Sequence, residues 1–316
     1  MWDNVREGWN AGPGRAARLA LAEARLLRSR PRGFDAFVVG YPGHFDLPAA
    51  RRASAGRPVV FNPLVSLADT LVSDRARFGP RSVPARVLQR IDRHAFRSAD
   101  LVVADTSAHA QFLGQLTGRT DIAVCFVGAE ERLFNPEWQP QVPFTALFVG
   151  KLIPLQGVET ILAAASLAPE VPFRLVGSGQ LARLLDERPA NVSHLRWIEY
   201  QLLPDELHKA GCALGIFGMT AKAQRVIPNK VFQAIACGVP VVTADTPAAR
   251  ELLADEESAL LVPPGDPAAL ADAVRRLATD DQLARHVAAG GRTAYERAAS
   301  EAVLGARWRG LIEELL

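Results

Sequence analysis

The chain has 316 residues, 49% hydrophobic and 22% charged, with a formal net charge of +2. That length exceeds one ordinary core and predicts two domains, while the balanced charge gives no reason to expect a nucleic-acid partner. No apolar run reaches the roughly 18 residues that a membrane span needs, and the opening Met1-Trp-Asp-Asn-Val-Arg-Glu7 has no apolar segment of a signal peptide. Cys125, Cys212 and Cys237 are scattered at no metal-ligand spacing and read as reduced core thiols, so the chain is expected in the cytoplasm.

Charge is divided unevenly along the chain. Residues 1–136 hold 19 Arg, no Lys and 13 acidic residues, a net of +6; the remaining 17 basic and 21 acidic residues give −4. The segment 14–28 reads as a helix with leucines near one face and Arg15, Arg18, Arg25 and Arg28 on the other. Such an arginine-rich half suits peripheral contact with an anionic membrane surface, and equally a core helix from an arginine-biased composition.

In chain order, the first half alternates short apolar strands at Phe37–Gly40, Val59–Phe61, Leu101–Ala104 and Ala123–Phe126 with helical patterns at 83–97 and 107–116. Trp138-Gln-Pro-Gln-Val-Pro143 reads as a linker. Beyond it the alternation restarts, with strands at 146–149, 173–176, 194–197, 213–216, 239–242 and 259–262. Helical patterns at 157–167, 180–187, 204–210, 229–237, 247–253 and 267–277 fall between and after them. Strand and helix in alternation imply parallel sheets. The expectation is an α/β chain with one domain over 1–136 and a complete doubly wound domain over 137–316, facing each other across a cleft; ligands gather at the carboxyl ends of such strands.

Two features there point to phosphate. Lys222-Ala-Gln-Arg225 leads into Pro228-Asn229-Lys230, where Pro228 fixes φ and Asn229 can cap a helix that Gly238 ends. A helix N-terminus beside three cations attracts an anion, although solvated charges on an ordinary surface helix have the same pattern. Gly150-Lys151 follows the first strand of the second domain, so the backbone can approach a ligand closely and Lys151 can neutralise a diphosphate leaving group.

These stretches, taken with Gln156-Gly-Val-Glu-Thr160, Leu175-Val-Gly-Ser-Gly179, Cys237-Gly-Val-Pro-Val-Val242 and Leu261-Val-Pro-Pro-Gly-Asp-Pro267, resemble the donor domain of family 4 GT-B glycosyltransferases, in the subgroup with Pro-Asn-Lys. Ala99-Asp-Leu-Val-Val-Ala-Asp-Thr106 and Val127–Pro136 are similar to the end of the acceptor domain, so the resemblance covers nearly the whole chain. It implies a GT-B fold of two Rossmann-like domains. It also implies transfer of a sugar from a nucleotide-diphosphate sugar to a glycan or lipid-linked acceptor, retaining and metal-independent, with no cofactor, by a cytoplasmic protein at the inner membrane's surface.

Matched residue by residue, Gly150 and Lys151 meet the donor pyrophosphate and Gln156 stands where many members have a second basic residue, which Lys222, Arg225 or Lys230 would replace. Arg225 and Gln233 occupy the positions of two glutamates eight residues apart, and Gln233 would bond the ribose. On the acceptor side His44 lies near the cleft after a strand, and Asn62 stands where many members have a histidine beside the donor sugar. Only a helix precedes Phe34 where the family has further βα units, so a shortened first domain with about four strands is expected. Two other readings remain: a non-catalytic nucleotide-sugar binder, from the departures at Arg225 and Gln233, and a nicotinamide-dependent oxidoreductase, from Gly177-Ser-Gly-Gln-Leu-Ala182 with Glu199 beyond it.

Overall fold

The computed structural model describes residues 32–316 together with Leu21, Ala24, Arg25, Leu27 and Arg28, which are helical. Arg15 and Arg18 of the expected arginine-rich helix lie outside the described residues. The first domain contains β1 (Phe37–Val39), α1 (Leu47–Ser54), β2 (Val59–Phe61), α2 (Val83–Ser98), β3 (Leu101–Ala104), α3 (Ser107–Thr117) and β4 (Ile122–Val124). Its four strands are parallel, in the order β1-β2-β3-β4. A wide helical turn, Asp69–Asp74, lies between β2 and α2. Helix starts follow the sequence: Ser82 accepts a hydrogen bond from the Ala85 amide ahead of α2, and Thr106 accepts one from the His109 amide at α3.

The second domain is built from β5 (Ala146–Val149), α4 (Val158–Leu167), β6 (Phe173–Val176), β7 (Val192–Leu195), α5 (Leu203–Lys209) and β8 (Cys212–Leu214). It continues through α6 (Asn229–Ala236), β9 (Val241–Ala244), β10 (Leu260–Val262), α7 (Pro267–Thr279), α8 (Asp281–Ala298) and α9 (Glu301–Glu313). Its six parallel strands run β10-β9-β8-β5-β6-β7. The order reverses between β5 and β8, which opens a crevice at their carboxyl ends. One core under α4 and α7 is centred on Phe148, Phe173 and Phe217; the opposite core, under α5, α6 and α8, is centred on Phe232, Ile235 and Tyr295. Each large side chain buried in these layers contributes about 1.5–3 kcal/mol.

The alternation of strand and helix is as expected, with three differences. The patterns at 180–187 and 247–253 are single turns, Ala182–Leu185 and Ala249–Glu251. The supposed linker is fixed in place: Trp138 Nε1 donates to Ala210 O at 2.8 Å and the Gln139 amide to His208 O at 2.9 Å. The third difference lies at the far end of the chain. Helix α9 crosses back, and Leu304, Trp308 and Leu311 cover the face of the first sheet formed by Val60 and Val103. Among the described residues, the C-terminal segment thus supplies one of that sheet's two outer layers.

The arginines of the first domain are largely fasteners. Arg51 makes a two-pronged pair with Asp100 and also bonds Ser98 O, while Arg119 caps Phe96 O, Ala99 O and Asp100 O. Such planar donors suit loop carbonyls better than lysine would. No helix among the described residues is long and apolar enough to cross a membrane. The three cysteines are buried free thiols, with burial pushing Cys237 up to about 12.

Candidate functional site

At the reversal point the loop after β5, Gly150–Gly157, meets the start of α6. Lys230 Nζ donates to Gln156 Oε1 at 2.5 Å and to Gly215 O at 3.3 Å, and it lies 3.5 Å from the centroid of the Phe148 ring. Burial holds this lysine well below its ordinary value, and no carboxylate among the described residues offsets the shift. A cation so placed gains from any anion that arrives. A methyl group on Gly150 would stand 2.9 Å from Lys230 Nζ, so glycine at that position leaves the space into which the ammonium projects.

The surrounding glycines close the loops against one another. Gly177, at φ 141°, could carry no side chain without overlapping the Gly150 carbonyl, and a Cβ on Gly218 would meet Pro154 O and Leu155 O at 2.5 Å. Gly179 packs equally tightly on Leu152. This accounts for the Gly177-x-Gly179 pattern without a dinucleotide: its glycines serve loop packing, and only a single turn follows them where a dinucleotide fingerprint opens a helix.

Gln233 lies one turn after Lys230 and lines the same small pocket as Val149, Leu203 and Lys230. Its side-chain amide bonds Tyr200, whose ring contacts Phe134 with centroids 5.6 Å apart. Lys151 is exposed at the end of β5, and Asn229 is exposed at the first position of α6. The fold therefore brings together Gly150, Gln156, Lys230 and Gln233, with Lys151 and Asn229 on the rim.

The other predicted residues are elsewhere. Arg225 Nη2 contacts both oxygens of Asp69 at 2.9 and 3.0 Å, and its guanidinium stacks 3.9 Å above Phe112. Lys222 Nζ donates to Thr70 Oγ1 at 2.8 Å. Both cations are thus spent on the first domain, where Thr106 Oγ1 also donates to Arg225 O and Glu251 accepts from the Ser107 and Ala108 amides. Burial lowers Lys222 while Asp74 and Asp69 pull it back up.

His44 was expected at the cleft, but its ring is buried against Phe61 and Phe96, at centroid distances of 5.1 and 5.6 Å. Its Nδ1 meets Pro42 O at 2.9 Å, Nε2 faces Asp92 at 3.3 Å, and burial depresses its pKa. It is a core histidine under Asp92, which also takes the Ser66 hydroxyl and the Leu67 and Ala68 amides. Asn62 follows β2 and spends its side-chain N–H on Val103 O at 3.0 Å. The sequence reading missed Phe148 as the face under Lys230, and Asp69, Thr70 and Asp74 as the counterparts of the basic cluster. Phe148 could be found from the strand pattern; the acidic turn lies some 150 positions from its partners and carries no local signal.

Two facing Rossmann-like domains, with a cationic crevice at the reversal point of the second, define a GT-B architecture, and solved structures confirm it. The fold matches sucrose-phosphate synthase from Thermosynechococcus elongatus with a TM-score of 0.76 at 18% identity, covering 95% of this chain and 77% of that one. It also matches Anabaena HepE in complex with UDP-glucose, with a TM-score of 0.73 at 19% identity over 96% of this chain and 84% of that one.

Residues 143–280 match the family model of glycosyl transferases group 1. Among curated relatives, a GDP-mannose-dependent alpha-mannosyltransferase of Mycobacterium tuberculosis is 27% identical over 94% of this chain and 76% of its own length. A phosphatidyl-myo-inositol mannosyltransferase of Mycobacterium leprae is 33% identical over 48% of this chain and 42% of its own. The likeness to group 1 glycosyl transferases is thus carried by residues 143–280, within a chain whose fold is GT-B.

Proposed function

We propose that the chain transfers a sugar from a nucleotide-diphosphate sugar to a glycan or glycolipid acceptor. The observation that carries this reading is Lys230 Nζ, held by Gln156 between Gly150 and Phe148 at the sheet's reversal point. A diphosphate bound there meets an ammonium poor in solvent, the Asn229 and Lys230 amides at the start of α6 and the rim lysine Lys151, all suited to the charge that grows on the leaving group. Lys230 thereby takes the role left open where Gln156 replaces a base, and Gln233, one turn on in the same pocket, would bond the ribose.

The reading extends to transfer with retention of configuration and without a metal, the protein's own cations neutralising the leaving diphosphate. The mannosyltransferase relatives make GDP-mannose the first donor to offer, with a lipid-linked or polysaccharide acceptor at the membrane surface. Calorimetry with GDP, UDP and TDP tests the donor site: micromolar binding of one of them is expected, and failure of all three defeats the reading. A nuclear magnetic resonance assay of sugar release, run with and without a chelator, then reports anomeric configuration and metal dependence together.

A further inference from the structure

The turn Asp69–Asp74 grips the second domain at several points. Asp69 pairs with Arg225 and Thr70 receives Lys222, so both have partners. Asp74 differs. The residue is 3% exposed, the Leu155 amide bonds its carboxylate, and its Oδ1 has no hydrogen-bond partner. Burial raises its pKa, with Lys222 and Arg75 opposing and Asp69 reinforcing the rise. Two further buried atoms on this seam are unpartnered, Arg75 Nε and Arg225 Nε.

A bare carboxylate oxygen in a buried seam is costly, and such atoms call for a specific explanation. Here both kinds of orphan are present, an acceptor on Asp74 and donors on the two arginines. A sugar satisfies both kinds, because each hydroxyl donates one hydrogen bond and accepts others. The location points to the donor's sugar. Leu155, which anchors Asp74, immediately precedes Gln156, and Gln156 holds the Lys230 ammonium. A hexose joined to a diphosphate at Lys230 would meet Asp74 by extending along this Leu155–Gln156 loop.

We propose that Asp74 binds a hydroxyl of the donor's sugar and is a specificity-determining carboxylate supplied by the first domain. This rests on the nucleotide-sugar reading of the Lys230 site.

The test compares wild type with Asp74→Asn by calorimetry, using GDP against GDP-mannose and UDP against UDP-glucose. For the pair that binds, affinity for the bare diphosphate is expected to stay within about 2-fold, while affinity for the sugar nucleotide falls roughly 10-fold or more, as for a hydrogen bond to a charged group. Asp74→Ser, with thermal melting as a check on folding, should show the same sugar-selective loss. Equal weakening of both ligands, or no weakening of either, overturns the proposal. A wild-type chain that binds no nucleotide defeats the donor reading itself and this inference with it, so the two failures are told apart.

Discussion

The basic cluster between Lys222 and Lys230 divides into two regions with opposite fates. Lys222 and Arg225, which precede the helix, cross the seam to the first domain: Lys222 donates to Thr70 beside the carboxylates of Asp74 and Asp69, and Arg225 pairs with Asp69. Lys230, on the first turn of α6, folds inward and meets only neutral groups, Gln156, Gly215 O and the Phe148 ring. Three cations within nine residues of the chain therefore do different work: one pair joins domains, and the third is held in reserve for an anion. What separates them is the Pro228 start of the helix, which turns the chain from the seam into the crevice.

The largest expected effect comes from removing the reserve. Lys230→Met should weaken nucleoside diphosphate binding by about 100-fold or more, since it deletes a buried cation that no carboxylate among the described residues offsets. Retained affinity would mean that Lys151 and the helix amides suffice. The same lysine gives a pH signature. Its pKa is lowered in the folded chain, so the unfolded chain binds more protons at alkaline pH, and unliganded stability rises as pH climbs through the folded value toward the unfolded one. A bound diphosphate reverses the preference by favouring the ammonium. Binding should take up a proton above the depressed pKa, and affinity should fall as pH approaches the ordinary lysine value. Calorimetry in buffers of different ionisation enthalpy measures that uptake, which Lys230→Met should abolish.

Arg225→Met attacks the other region. The pair's side chains are 16% and 7% exposed, so the substitution leaves Asp69 buried without its cation and should cost about 3 kcal/mol in urea unfolding. Diphosphate affinity should change less than about 3-fold, because Arg225 faces the seam. A large loss of affinity with little loss of stability would exchange the roles assigned to Arg225 and Lys230.

The sequence made the second sheet legible because most of its strands are apolar runs followed by a glycine or a polar loop; β7, Val-Ser-His-Leu, is the exception and lies two residues before its expected place. The reversal of strand order is a consequence of topology, and it alone decides that the loops after β5 and β8 share a crevice. Gly150, Gln156 and Lys230 could be singled out one at a time, but no spacing says that Lys230 rather than Lys222 reaches Gln156. His44 misled for a related reason. A histidine just after a strand points either to the cleft or into the core, and Phe61 and Phe96 settle that choice from positions distant in sequence. Helices α8 and α9 fell outside the pattern reading. Gly290 and Gly291 in the middle of α8 let it lie directly on the Glu257 and Ser258 backbone.

Gln233→Glu sharpens the contrast between the regions by giving the reserve cation a carboxylate on its own helix. In the native chain the Gln233 amide donates to Tyr200 Oη, a bond that favours the phenolate while burial opposes it. With glutamate the exchange reverses and the Tyr200 hydroxyl donates to the carboxylate, which can still accept from a ribose diol. Hydrogen bonds to a charged acceptor are stronger than those to an amide oxygen, so sugar-nucleotide affinity should rise about 3-fold, and the advantage over the 2′-deoxynucleotide should widen. The new charge one turn from Lys230 should also lift that lysine's pKa and shrink the proton uptake on binding. A fall in affinity with unchanged proton uptake would place position 233 away from both ribose and ammonium, and would confine the donor site to Gly150, Gln156 and Lys230.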